Sequence, residues 1–287
     1  MIGPARKVIE VGESVTPRMA SSLVLVRDGV DPERGGRRLE VLMIHRQQGN
    51  VFAPGVMAFP GGAVEEADRR FPPRLLGYSG TYLPEDGKLP TGGTVLEKLV
   101  AEGLSPDDAL AVLVAGLRET FEETGILPDC ISAGEGALPT GSLELVRART
   151  LLRSRKVSFQ EILEALGATV DLSRVRYLAH WITPEGMPTR YDTRFFLVPC
   201  SFREALDCER EEICSYAWVN PREALERCRQ GEFPMLPPTV AVLSSIAGCA
   251  DLSSALTETA GREVRAVCPR LVERDGELVL EIPPDAG

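Results

Sequence analysis

The chain has 287 residues, 44% of them hydrophobic, and a formal net charge of −10. That length carries one large core, or one core with an insertion and a tail. The acidic balance argues against nucleic acid or an anionic membrane as a partner, but a local arginine cluster and a cation can still invert the field inside a cleft for a small anionic substrate. The seven cysteines are odd in number and form no C-x-x-C pair, so they read as reduced packing thiols rather than a disulfide or zinc framework. The chain shows no N-terminal apolar leader and no apolar run of membrane-spanning length, and the expectation is a soluble, cytoplasmic protein.

In chain order, residues 1–17 read as an irregular lead-in. Residues 21–27 and 39–46 read as strands joined through a Gly/Pro/Asp-rich turn. Residues 56–59 form a short strand leading into Phe59-Pro60-Gly61-Gly62, a stiff turn followed by two residues that permit close backbone approach. Residues 69–104 contain Phe71-Pro72-Pro73 and Pro90-Thr91-Gly92-Gly93, and these prolines and glycines argue against a regular element there. Ser105, with Asp108 three residues on, starts a helix predicted to run from about Pro106 to Thr124 and to stop at Gly125. A helix is predicted over 143–153, and Ser158-Phe159-Gln160-Glu161 is a capping box opening a short helix that Gly167 ends. Residues 175–183, 193–199 and 213–219 read as strands. Asn220-Pro221-Arg222-Glu223 caps a helix to about Arg229, residues 239–249 read as a further helix, and 271–282 as a hairpin centred on Asp275-Gly276. Strands on both sides of a central helix, with more helices later, predict an α/β sandwich around a mixed sheet.

The most informative stretch is Arg118-Glu119-Thr120-Phe121-Glu122-Glu123-Thr124-Gly125-Ile126. At 3.6 residues per turn, Glu119, Glu122 and Glu123 share one helix face, and Leu110, Leu113, Val114, Leu117 and Phe121 fall on the other. The spacing predicts a packed helix with an acidic cluster facing outward. Like charges at this spacing destabilise a helix by roughly 0.2–0.5 kcal/mol per pair, and these lie in its last turn, where the macrodipole is already negative. A divalent cation would convert that repulsion into ligation, and oxygen-only ligands favour a hard ion, Mg²⁺ or Mn²⁺.

These residues resemble the box of the Nudix hydrolases, which begins with a glycine, here Gly62, and ends in Arg-Glu-x-x-Glu-Glu-x-Gly-apolar, here Arg118 to Ile126. Asp68 stands where the family usually has Glu, and Thr120 where it has an apolar residue. The 49 residues between Asp68 and Arg118 are far more than the family box ordinarily holds. This resembles a subgroup with a long insertion inside the box, including coenzyme A diphosphatase-like enzymes. The stretch from Leu42 to Gly62, with Arg46 and Gly55, is similar to the segment preceding the box in CoA-directed members, although Val51 replaces a second arginine of that pattern. Trp181-Ile182-Thr183-Pro184, Arg190 to Phe196 and Leu236-Pro237-Pro238-Thr239 also resemble the subgroup.

The resemblance implies a Nudix α/β/α sandwich over residues 18–230, with 69–104 inserted, and a helix-plus-hairpin extension over 231–287 packed on the same domain. It implies a metal held by Glu119, Glu122, Glu123 and the Gly62 carbonyl, with Mg²⁺ or Mn²⁺ as the cofactor. Arg118, bridging Glu122 and Asp68, has an orienting role. The general base is Glu119 or a glutamate before Trp218, where Glu209, Glu211 and Glu212 qualify and Glu212 is favoured. Arg46, Phe59, Gly61, Arg190 and Arg194 are the candidate substrate contacts. For His45 and His180, and for the aromatic rings of Trp181, Tyr191 and Phe195, packing is the default reading. The expected activity is cleavage of the diphosphate of CoA or acyl-CoA to 3′,5′-ADP and (acyl-)4′-phosphopantetheine. The alternatives are hydrolysis of ADP-ribose, NADH or another nucleoside diphosphate derivative, and a non-catalytic nucleotide-binding regulatory module. The expected partner is therefore a small CoA-like diphosphate, with a homodimer as a possible assembly.

Overall fold

The computed structural model describes residues 15–31, 35–46, 55–77, 94–132, 142–202, 213–274 and 277–283. The N-terminal half supplies β1 (Arg18–Val30), β2 (Arg37–Arg46), β3 (Met57–Ala58) and β4 (Gly61–Ala63), then α1 (Val95–Ala101) and α2 (Pro106–Thr124). Next come β5 (Ile131–Ser132), α3 (Leu143–Arg153), α4 (Phe159–Ala165), β6 (Thr169–Val170), β7 (Arg176–Ile182), β8 (Tyr191–Pro199) and β9 (Ile213–Val219). The chain closes with α5 (Pro221–Arg229), α6 (Pro237–Ile246), α7 (Leu252–Ala260), β10 (Ala266–Val267) and the hairpin strands β11 (Arg270–Arg274) and β12 (Glu277–Glu281).

Among the described residues, eight strands form one mixed sheet in the order β10-β7-β8-β1-β2-β3, with β4 also paired to β1 and β9 to β2. β1 is the axis of the sheet, parallel to β8 and antiparallel to both β2 and β4. Side chains of a strand alternate between its two faces, so β1 feeds two cores. Leu23 and Leu25 enter one core with Leu113, Leu117 and Phe121 of α2, Leu152 of α3 and Phe159 of α4. Val24 and Val26 enter the other with Val242 and Ile246 of α6 and Ala255 of α7. The sheet is therefore covered by helices on both faces, the expected α/β/α sandwich.

α2 lies tightly on β1 at Gly116. A Cβ placed there would meet Ser21 Oγ at 2.5 Å and Leu23 Cδ2 at 2.9 Å. Gly116→Val is expected to wedge the helix off the strand and cost roughly 1–3 kcal/mol by overpacking, readable as a lowered thermal midpoint.

Three expectations are corrected. The insertion is not irregular throughout. It contains 3-10 turns at Asp68–Arg70 and Pro73–Leu75 and the helix α1. α1 is opened by a reciprocal capping box in which Thr94 Oγ1 accepts from Glu97 N at 3.3 Å and Glu97 Oε2 accepts from Thr94 N at 2.9 Å. Val95, Leu96 and Leu99 then anchor it in the first core. Gly61 and Gly62 are not only turn residues but pair with Ser22 and Ser21 as strand β4. α7, which Asp251 caps, is an additional helix. Pro90 to Gly93 and Asp275-Gly276 lie outside the described residues.

Among the described residues, four helices end in the same two-bond closure. The bonds are Gly103 N to Val100 O with Leu104 N to Leu99 O, Arg155 N to Leu152 O with Lys156 N to Leu151 O, Gly167 N to Glu164 O with Ala168 N to Leu163 O, and Gly231 N to Cys228 O with Glu232 N to Arg227 O. The closure needs a left-handed residue, which glycine adopts without a Cβ penalty. α3 alone uses a side-chain-bearing residue, Arg155, at φ 55°. Left-handed backbone costs an L-residue roughly 1–2 kcal/mol.

Candidate active site

The end of α2 and the β4 segment form the site. Ser105 Oγ accepts from Asp108 N at 3.1 Å and Pro106 occupies the first turn. At the other end Gly125, at φ 74°, closes the helix with its N–H on Phe121 O at 2.8 Å. Between these signals α2 is buried almost all round, because the sheet, α1, α3 and the β4 segment cover it. Glu119 and Glu122 remain partly exposed. The Glu119 carboxylate lies against Gly62, so closely that a Cβ on Gly62 would sit 2.4 Å from its carboxyl carbon. Any side chain at Gly62 would displace it.

Arg118 holds this arrangement. Its Nε and Nη2 donate to the two oxygens of Asp68 at 2.9 and 3.0 Å, and Nη2 also donates to Ala63 O at 3.0 Å. Its Nη1 donates to Glu119 Oε1 at 2.9 Å and Glu122 Oε1 at 3.3 Å. All five N–H groups of the guanidinium are thereby engaged with protein acceptors. Arg118 is 4% exposed and Asp68 2%. Burial works against the charge on Arg118, but the carboxylates of Asp68, Glu119 and Glu122 hold its pKa above the ordinary value. Burial pushes the Glu119 carboxyl up to about 7, with Arg118 pulling it down and Glu122 adding to the rise. Asp68 makes a full bidentate brace despite being one methylene shorter than Glu.

Glu123 departs from the outward-facing expectation. It is buried, and its Oε2 accepts from Gly61 N at 3.0 Å, tying α2 to β4. The negative end of the helix is also met by a residue that no sequence motif singles out. Arg149 of α3 donates from Nε to Glu122 O at 2.8 Å and from Nη2 to Glu123 O at 2.7 Å. A cation on the last carbonyls offsets the macrodipole where the carboxylates sit.

The remaining candidates are dispersed. Phe59 is buried in the second core, edge-on to Phe195 at 6.2 Å. Arg190 donates to Thr183 O at 3.0 Å and Val15 O at 2.8 Å, clasping the β7–β8 connection to the residues just before β1. Arg194 is buried beside Asp192 at 3.1 Å and Glu102 at 3.7 Å. Glu102 closes α1, accepts from Tyr177 Oη at 2.8 Å, and lies 3.6 Å from His180 Nδ1. Asp192 bonds the other ring nitrogen of His180. Arg194 thus lies in a polar cluster joining the insertion to the sheet. In the sheet it is aligned with Ser21, whose opposite neighbour is Gly62. Arg46 ends β2 opposite Ile213, after a register irregularity. The side chain of Arg46 and all of Glu209, Glu211 and Glu212 lie outside the described residues.

Among the described residues, no three carboxylates surround one point. Glu119 and Glu122 instead share the N–H groups of one Arg118 nitrogen, and Glu123 faces Gly61. The donor set nevertheless fits a hard divalent cation. It is all oxygen, it is gathered at one helix end over a glycine whose cradle a Cβ would fill, and a cationic nitrogen already bridges two of its members.

The chain matches the family described as the NUDT19 Nudix domain over residues 17–246. The acyl-coenzyme A diphosphatase NUDT19 of Gallus gallus is 30% identical over 226 residues, 69% of this chain and 58% of that protein. The protein of the same name from Homo sapiens is 29% identical over 275 residues, 82% of this chain and 70% of that protein. The chain therefore spans less than two thirds of the chicken relative. The crystal structure of a NUDIX hydrolase from Alicyclobacillus acidocaldarius superposes with a TM-score of 0.66 at 29% identity, covering 84% of this chain and 96% of that one.

Proposed function

This chain belongs to the NUDT19 Nudix domain family, and we propose that it is a metal-dependent diphosphatase hydrolysing CoA or acyl-CoA. The products would be 3′,5′-ADP and 4′-phosphopantetheine or its acyl form. The observation that carries the reading is the pair Glu119 and Glu122, held by Arg118 beside the bare backbone of Gly62. The names of the chicken and human relatives support the choice of acyl-CoA as substrate.

In this reading Glu119, Glu122, Glu123 and the Gly62 carbonyl hold the ion, Mg²⁺ or Mn²⁺. A divalent cation held there would supply Lewis-acid charge for the diphosphate and make water a better nucleophile. Glu119 accepts the proton of the attacking water, and Glu212, next to β9 in sequence, is the alternative acceptor. Arg118 orients Glu119 and Glu122 and has no N–H left for substrate. Asp68 fixes Arg118, and Glu123 keeps Gly61 and Gly62 against α2. Arg46 is the candidate phosphate contact, since guanidinium suits bidentate phosphate recognition. Arg190 and Arg194 are engaged with protein groups, which favours structural work for both. Water adds to one phosphorus, the P–O–P bridge breaks, and the other phosphate leaves.

Mass spectrometry of a Mg²⁺-dependent reaction panel tests the proposal. The panel comprises CoA, acetyl-CoA, a long-chain acyl-CoA, dephospho-CoA, ADP-ribose and NADH. The expected result is 3′,5′-ADP from CoA species. AMP from ADP-ribose or NADH with CoA untouched would overturn the substrate and give weight to the Val51 departure.

A further inference from the structure

We infer that Arg155 is a positioning residue that clasps the segment from Gly61 to Asp68 through Glu65. The inference rests on the diphosphatase reading only for its consequence on turnover. Arg155 Nη2 and Nη1 reach Glu65 Oε1 at 2.7 Å and Glu65 Oε2 at 3.3 Å, a two-point contact across 90 residues of sequence. Glu65 lies between β4, which carries Gly61 and Gly62, and Asp68, whose Oδ2 accepts from Glu65 N at 2.8 Å. The clasp therefore grips the middle of the segment whose ends are fixed by Glu123 and Arg118.

The residue type at this position is not explained by stability. Arg155 is the one described non-glycine residue with positive φ. α1, α4 and α5 reach the same closure with Gly103, Gly167 and Gly231, all at positive φ. The Arg155 side chain is 78% exposed. An ion pair so exposed contributes less than the left-handed backbone costs. Glycine would close α3 with less strain, so what arginine adds is its hold on Glu65. Strain retained at one point and a contact made to a functional loop point to positioning.

Amide hydrogen exchange of residues 61–68, together with steady-state kinetics on CoA, tests this in Arg155→Gly and Glu65→Gln. Arg155→Gly keeps the helix closure, and Glu65→Gln leaves α3 untouched. Both are expected to speed exchange in 61–68 by about 5-fold or more through easier local opening and to lower kcat with little change in KM. Arg155→Gly should do so without lowering the thermal midpoint, an outcome that lost stability alone would not give. The exchanged pair Arg155→Glu/Glu65→Arg should restore part of the protection. Unchanged exchange, or unchanged kcat, in either single variant would overturn the inference. If the wild-type protein leaves CoA intact, the substrate reading has failed, and the exchange data still decide whether the clasp exists.

Discussion

Glu122→Gln is expected to lower kcat at least ~100-fold on whichever diphosphate of the panel the wild-type protein cleaves best, a loss of about 2.7 kcal/mol of transition-state stabilisation. Glu122 is partly exposed, at 23% of its side chain, and its bond from Arg118 Nη1 is a 3.3 Å contact that an amide oxygen can keep. The substitution removes a negative charge without removing volume or the acceptor. Stability should therefore stay within about 1 kcal/mol, the scale of an exposed ion pair. A cation held by carboxylates loses most where one becomes a neutral amide, so the activity should also require more Mg²⁺. The same assay separates the roles of neighbouring acids. Glu123→Ala removes the buried acceptor of Gly61 N and should lower both stability and turnover. A folded Glu122→Gln protein with near-normal kcat would sink the metal-ligand assignment.

α2 was legible to the residue because each of its determinants is local. Ser105 and Pro106 start it, the apolar stripe packs it, and Gly125 stops it. β9 and α3 follow for the same reason. What escaped the sequence depends on distant partners. α1 sits in a stretch rich in proline and glycine, and its Thr94–Glu97 box is a short signal that only the apolar residues Val95, Leu96 and Leu99, buried against other elements, make decisive. β4 is three residues long and exists through its pairing with β1. In the site, spacing put three carboxylates on one face but could not show that Glu123 turns to Gly61 N. Nor could it show that Arg149 of α3, 26 residues beyond Glu123, answers the carbonyl end of α2. Arg190 and Arg194 looked like anion contacts because arginine chemistry suits anions. Their burial against carbonyl and carboxylate groups is a tertiary fact. Helical periodicity predicted a polar face, whereas the β4 segment covers much of it.

Arg118→Met should be the most damaging single change to the fold. Asp68, 2% exposed, would keep only its bond from Glu65 N, and Glu119 and Glu122 would lose the cation between them. Removing one partner of a buried ion pair costs ~3–5 kcal/mol because the other charge remains desolvated. For a domain of this size that lowers the thermal midpoint by on the order of 10 °C. The double variant Arg118→Met/Asp68→Leu removes both charges, and apolar replacement of a buried pair is often close to neutral. The double variant should therefore recover most of the lost stability. It should not recover turnover, because Glu119 and Glu122 would still lack the group that orients them. Thermal melts and kcat measured on the same three proteins separate the two roles. Return of both stability and activity in the double variant would show that Arg118 serves only to neutralise Asp68. Return of stability alone would show that the brace sets the geometry of the carboxylates as well as holding the loop.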